Sequence, residues 1–435
     1  MYFVIDYLHD DKKTLRSCSL VSRTWRYRSQ YHLFSSMTVG PPQRADPIPD
    51  FITTLRESAN FAVRIRDLTL KGEWGRELSV SARWLSAILE QLPKLNTLRL
   101  AGVSLTGLDR LYTPSNRFTL EHLQFVETGE NSEDQTIANT LEVLGLFDRI
   151  GRITVNRAFA HEQGVRDLDA LLESFEHMFP KHLSVGALQV LDRPRGIEFW
   201  LAVMRRTALK EFMGLTVIAH QMWEYSSLEP LLRDAGFGLR RLDVSLGNIE
   251  ASAAGMYVRS PAMWMLLIMD HALDSLGGKL GLSYCTNLQE LTLRLFVSAY
   301  NRNRPTWSQL CALLGTIDAH HTLRNLTICF LMHEPTHDSN TDWAEMTRVL
   351  RKFSALERVV FVDPLMAPEE LVVAGEHVQK RLHELGDRVH ADVVSSFPPS
   401  LFESWWWPFL PLLRRELDRV PVTWMSALQF AYEHV

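Results

Sequence analysis

Little cysteine, no net positive charge and no long hydrophobic run characterise the chain, and each deficit excludes a class of protein. The four cysteines, Cys18, Cys285, Cys311 and Cys329, are widely spread, sit in apolar surroundings and form no CxxC pair. They provide neither a disulfide framework nor a structural zinc site, and read as buried free thiols in a reducing compartment. The formal net charge of −5 leaves no global field to hold nucleic-acid phosphates, so nucleic acid is not expected as a partner. The most apolar stretch, Ala262 to Met269, stops at Asp270 and is far too short for a bilayer. Asp6, Asp10 and Asp11 interrupt the apolar start, which lacks the form of a secretory signal. The reading is a soluble intracellular protein, cytoplasmic or nuclear. In that setting the sequon Asn325-Leu326-Thr327, which falls in an expected strand, is discounted.

Catalytic chemistry is also scarce. His333-Glu334-Pro335-Thr336-His337 has the zinc-hydrolase string, but that chemistry needs both histidines on one helical face, and Pro335 disfavours the helix. A solvated loop is the simpler reading, with a zinc hydrolase kept as the rival from the enzyme class. Gly277-Gly278-Lys279-Leu280-Gly281 lacks the spacing of a phosphate-binding loop, and His320-His321 has no cysteine or carboxylate at ligand spacing. No enzymatic activity, cofactor or metal is expected.

What the chain has is a repeat. In Asn287-Leu288-Gln289-Glu290-Leu291-Thr292-Leu293-Arg294 the leucines follow L-x-x-L-x-L, and the period of two from Leu291 to Arg294 is that of a half-buried strand. The same apolar template recurs at Ile65/Leu68/Leu70, Leu95/Leu98/Leu100, Leu120/Leu123/Phe125, Ile150/Ile153/Val155, Val185/Leu188/Val190, Phe212/Leu215/Val217, Leu239/Leu242/Val244, Leu323/Leu326/Ile328 and Leu356/Val359/Phe361. One register stays open, because Leu209/Phe212 competes with Phe212/Leu215/Val217. Starts lie roughly 25 to 35 residues apart, with one gap of about 49, room for a strand and a helix in each interval. Helical spacing is present at Trp84–Leu89, Leu168–Phe179, Phe199–Arg206, Trp307–Ile317, Trp343–Phe353 and Glu369–Leu385. Strand and helix alternating in one direction predict an α/β solenoid, with a parallel sheet on the concave side and helices on the convex side. Its length and irregularity resemble leucine-rich repeats of the ribonuclease-inhibitor type.

Four segments follow: 1–39 a small helical module, 40–62 a proline-rich linker, 63–395 the repeat array, and 396–435 a C-terminal aromatic cap. Pro41 to Pro49 is expected to run extended. Within the long gap, Met256, Met263, Met265 and Met269 suit either an extra buried helix or an adaptable binding surface. Trp405-Trp406-Trp407-Pro408 suits either a cap over the last open core face or an exposed docking patch.

The first forty residues do not share the repeat. Leu15, Cys18, Val21 and Trp25 form one helical stripe behind an Asp10-Asp11 cap. Ile5-Asp6-Tyr7-Leu8, Asp11 to Leu15, Leu20-Val21-Ser22-Arg23-Thr24-Trp25 and Tyr31-His32-Leu33-Phe34, in that order, resemble the F-box-like domain at the start of fungal leucine-rich-repeat proteins. The resemblance implies a small helical module that docks on a Skp1-type adaptor protein of a ubiquitin ligase, with Leu8, Leu20, Val21 and Trp25 as docking or module-core positions. On that reading the array would hold a target protein on its concave face, through Arg99, Arg152, Arg241, Glu290, Arg294 and Arg358 among others. Recurrent arginines there suit an acidic or phosphorylated peptide. The alternative is a repeat scaffold without ligase association.

Overall fold

The computed structural model describes residues 2–8, 11–40, 47–72, 78–106, 117–126, 133–156, 172–191, 194–218, 225–246, 280–296, 306–331, 343–362, 368–386 and 389–394. The methionine-rich segment 249–279, the motif from His333 to His337, Gly277 to Lys279 and the aromatic segment 396–435 lie outside the described residues.

Three short helices begin the chain: α1 (Tyr2–Tyr7), α2 (Lys12–Val21) and α3 (Arg23–Ser35). Two side chains set their boundaries. The Asp11 carboxylate accepts from Thr14 N–H at the start of α2, and Ser22 Oγ accepts from Trp25 N–H at the start of α3. Ile5, Leu15 and Cys18 form a small buried core, with Leu8, Trp25 and Leu33 packed against it.

From α3 the backbone passes directly into β1 (Ser36–Val39), the first strand of a twelve-stranded sheet. The other strands of that sheet are β2 (Asp67–Lys71), β4 (Thr97–Ala101), β6 (Phe118–Val126), β7 (Phe147–Asn156), β8 (Ser184–Leu191), β9 (Gly214–Ile218), β10 (Arg241–Leu246), β11 (Glu290–Phe296), β12 (Asn325–Leu331), β13 (Arg358–Val362) and β14 (His390–Val394). They lie side by side in chain order, and every pair is parallel. A separate pair, β3 (Leu78–Val80) and β5 (Val103–Leu105), extends two of the connections. The molecule is thus α/β, with a large parallel sheet built from a repeating strand and helix.

The register explains why the apolar template works. Leu98 stands opposite Leu123, Leu242 opposite Leu291, and Leu291 opposite Leu326. Leucines at one template position therefore form continuous rows, and every template residue in the ten units is buried. The open register resolves to Phe212/Leu215/Val217, with Leu215 opposite Leu188 in the sheet and Leu209 in a turn of 3-10 helix.

The helices cover the same face as those rows. They are α4 (Pro47–Glu57), α5 (Ala59–Ala62), α6 (Ala82–Gln91), α7 (Glu133–Leu144), α8 (Pro194–Arg205), α9 (Tyr225–Ala235), α10 (Thr306–Gly315), α11 (Trp343–Leu350) and α12 (Pro368–Arg381). In α6 the cap is Ser81, whose hydroxyl accepts from Trp84 N–H, and Leu85, Ile88 and Leu89 turn inward at helical spacing. Trp200 of α8 is fully buried, its ring 5.2 Å from Phe125 and 5.4 Å from Phe199.

One expectation is corrected here. The proline-rich stretch does not stay extended to Pro49, because α4 starts at Pro47. A proline in the first turn gives up only an N–H that has no helical partner, and Ile48, Phe51, Ile52 and Leu55 reward the helix by burial in the main core. The helical module is also not a separate bead. Met37 of β1 pairs with Leu68 of β2, Arg64 donates to Gln30 at 3.0 Å, and Phe34 packs edge-on against Phe61 at 5.2 Å.

Candidate functional site

The face of the sheet opposite the main core carries the residues between the template leucines. Thr69, Thr154, Thr292 and Thr327 are half-buried there and Arg99 is exposed, as the alternation requires. Two rows run across its middle. One is His122, Arg152, Ala187, Gly214, Arg241 and Glu290; the next is Gln124, Thr154, Gln189, Thr216, Asp243 and Thr292.

All of these residues except Gln124 and Thr154 line a groove of about 780 Å³. Its depth comes from missing side chains. Ala187 and Gly214 occupy positions where flanking strands carry arginine, and Gly151 and Gly186 stand one residue earlier. No side chain fits at the latter two: a Cβ on Gly151 would lie 2.7 Å from the Glu121 carbonyl oxygen, and one on Gly186 would lie 2.6 Å from that of Gly151. Glu121, His122 and Arg152 form one bank, and Arg240, Arg241 and Glu290 the other, with Met213 between them.

Hydrogen bonds fix the first bank. His122 Nε2 lies 2.8 Å from Thr154 Oγ1, the Gln124 amide lies 3.0 Å from His122 Nδ1, and Thr154 donates to Gln189 Oε1 at 3.4 Å. Burial, and secondarily the positive charge of Arg152, pushes the His122 pKa down, so the imidazole is neutral at pH 7.

The six expected target-binding residues do not behave alike. Arg99, Arg152, Arg241 and Arg358 are exposed and Glu290 is half-buried. Arg241 pairs with Glu290 at 3.1 Å, and Arg358 with Asp392 at 2.6 Å. Arg294 corrects the expectation outright. It is 2% exposed and makes a two-pronged pair with Asp243 at 2.6 and 2.5 Å, so it is structural. Arg99 and Arg152 form no ion pair with any described residue, and neither does Arg240, which the sequence reading passed over. Ala187, Gln189, Gly214 and Thr216 were also passed over, although the template itself places them on this face.

The helical module divides its expected residues too. Leu8 and Trp25 pack against its own core, whereas Leu20 is 88% exposed and Val21 69% exposed at the end of α2. Tyr7 at the end of α1 is exposed as well. Asp6 clamps α1 to α3 by accepting from Arg28 at 2.5 and 2.9 Å and contacting His32 Nε2 at 2.8 Å, and these partners hold its carboxyl down to about 2.

No group of three or more His, Cys, Asp or Glu side chains that could hold a metal occurs among the described residues. No described helix is long and apolar enough to cross a membrane. Compared with known proteins, the chain matches no family model and no curated sequence.

Proposed function

We propose that the chain is a non-catalytic F-box-like substrate adaptor, its helical module engaging a Skp1-type adaptor protein and its leucine-rich array holding a target. The observation that carries this reading is the exposure of Leu20 and Val21 at the end of α2, in a module whose own core is already closed by Ile5, Leu15 and Cys18. Leu20 and Val21 are adjacent in sequence and offer a partner apolar surface that the module's own core does not use. The direct passage of α3 into β1 supports the same reading, because it would hold a target on the sheet at a fixed orientation to the adaptor.

Co-precipitation of the full chain with a Skp1-type adaptor tests it. Binding by the native chain, lost when Leu20→Asp and Val21→Asp are combined, is the expected result, and no binding by the native chain overturns it. Trp25→Ala is the poorer probe, since Trp25 packs within the module and its loss would unfold the surface.

One observation favours a second reading, a repeat scaffold without ligase association. Strand β1 lies at the sheet's edge and the module packs over the first repeat, the position of a terminal cap. On that reading, deleting the module would destabilise the array and leave target binding otherwise unchanged.

A further inference from the structure

The open face carries several arginines, and three of them are already paired with carboxylates. Arg294 is held by Asp243, Arg241 by Glu290 and Arg358 by Asp392. In the groove this leaves Arg152 on one bank and Arg240 on the other, both exposed and without an ion pair to any described residue. Arg152 forms no ion pair with a described carboxylate: across the strands it stands opposite His122 and Ala187, with Gln124 and Gln189 two residues further along those strands. From β7 to β10 is three strand spacings, about 14 Å along the flat. The intervening floor is Ala187 and Gly214, which leave that span open to a side chain entering from solvent.

Charge decides what enters. Glu121, which forms no ion pair with any described residue, offsets one of these two guanidinium groups, so with Asp243 held by Arg294 and Glu290 by Arg241 the described residues of the groove present one uncompensated positive charge. A single carboxylate matches it, whereas a doubly charged phosphate would also meet Glu121 and Glu290. Met213, exposed between the banks, offers an apolar contact to a neighbouring residue of the ligand.

We propose that this groove is a subsite for one Asp or Glu side chain of an extended target segment, received between Arg152 and Arg240 over the floor of Ala187 and Gly214. It rests on the reading of the open face as a target-holding surface, and names which part of that face selects and for what chemistry.

The test is selection of a phage-displayed random dodecapeptide library on the immobilised full chain, without any adaptor protein. Enriched peptides should share an acidic residue. For a synthetic enriched peptide, replacing that residue by its amide should weaken binding about tenfold, as should Arg152→Glu in the protein. Ala187→Tyr, which fills the floor without changing charge, should weaken it comparably. Arg56→Glu, exposed on α4 and outside the groove, should leave it unchanged. All three protein variants alter partly or fully exposed side chains, and matching thermal melts would establish that they are folded.

No enriched peptide, enriched peptides without an acidic residue, or an affinity unmoved by Arg152→Glu and Ala187→Tyr would overturn the proposal. Tighter binding when phosphoserine replaces the acid would overturn the single-charge assignment. Failure of adaptor co-precipitation alongside successful peptide selection would remove the ligase reading and leave this subsite standing.

Discussion

The two halves of the open face are built from one template and end in opposite states. Over β7 to β9 the positions between the leucines carry Ala187 and Gly214, and Arg152 stands exposed beside them with no ion pair to any described residue. Over β11 to β14 the same face pairs Arg358 with Asp392 between the template positions and, one residue past the last template position, buries Arg294 against Asp243, with Cys329, Val360, Val362 and Val394 gathered into a second apolar cluster. The template fixes which side chains face outward. What stands on the next strand decides whether an arginine there becomes structural or stays available. Arg294 finds Asp243 two residues before its direct neighbour in the ladder, Ser245; Arg152 finds only His122, alanine and glutamines.

The largest expected effect tests the structural half. Arg294→Leu leaves the Asp243 carboxylate with its partner removed, and breaking a buried pair in this way costs about 3 kcal/mol. Urea unfolding of the full chain measures it. The double variant Arg294→Leu, Asp243→Leu should recover most of the loss, because an apolar pair of similar volume replaces the charges. A single-variant loss below about 1 kcal/mol would mean that the two halves do not differ in kind.

Next in size is the floor of the groove. Gly186→Ala forces a Cβ against the Gly151 carbonyl, a backbone atom that cannot swing aside, and should cost about 2 kcal/mol in the same assay. Ala187→Tyr, one residue on and directed into open space, should fold normally. Equal costs for the two would show that the groove is a packing defect rather than a space kept clear.

Much of the fold was legible because period-two leucines report directly on a parallel sheet packed on one face. The rows of Leu98, Leu123, Leu242, Leu291 and Leu326 needed nothing beyond that pattern. Strands β1 and β14 were not legible, since Ser36–Val39 and His390–Val394 carry the alternation weakly and gain strand form by pairing with Leu68 and Val359. Helix α4 was hidden by Pro47 and Pro49, whose cost vanishes in a first turn. The groove was half visible: Arg152 and Arg241 could be placed on one face, and the template puts Ala187 and Gly214 at the same position in the two units between them, the second only once its register is fixed as Phe212/Leu215/Val217. The fate of Arg294 was not visible at all, because Asp243 lies 51 residues away in sequence.

A smaller effect concerns an ion pair outside the sheet, intermediate between the two halves. Asp6 is partly exposed, yet accepts from Arg28 and contacts His32, and its carboxyl is held down to about 2. A depressed acid stabilises the folded state above its unfolded pKa and loses that contribution as pH falls through the folded one. The module's contribution from Asp6 should therefore be complete above about pH 4 and fade toward pH 2. An NMR titration of the Asp6 carboxyl carbon checks this; an ordinary aspartate value would dissolve the clamp between α1 and α3.

The smallest effect returns to the groove. Arg152→Gln removes no ion pair to any described residue and uncovers no core, so stability should change by less than about 0.5 kcal/mol, against about 3 kcal/mol at Arg294. Its signature is instead on His122, whose pKa is lowered first by burial and second by Arg152. Removing the guanidinium should raise the His122 pKa without restoring the ordinary value, because burial remains. A base with a depressed folded pKa costs stability as pH falls from its unfolded value, near 6.5, toward the folded one, since the unfolded chain takes up the proton first. That window should narrow in Arg152→Gln, and an NMR titration of the His122 ring would show it. An unmoved His122 would place the Arg152 charge away from the bank. The open face would then lose the local positive field that sets its middle apart from its paired and buried end.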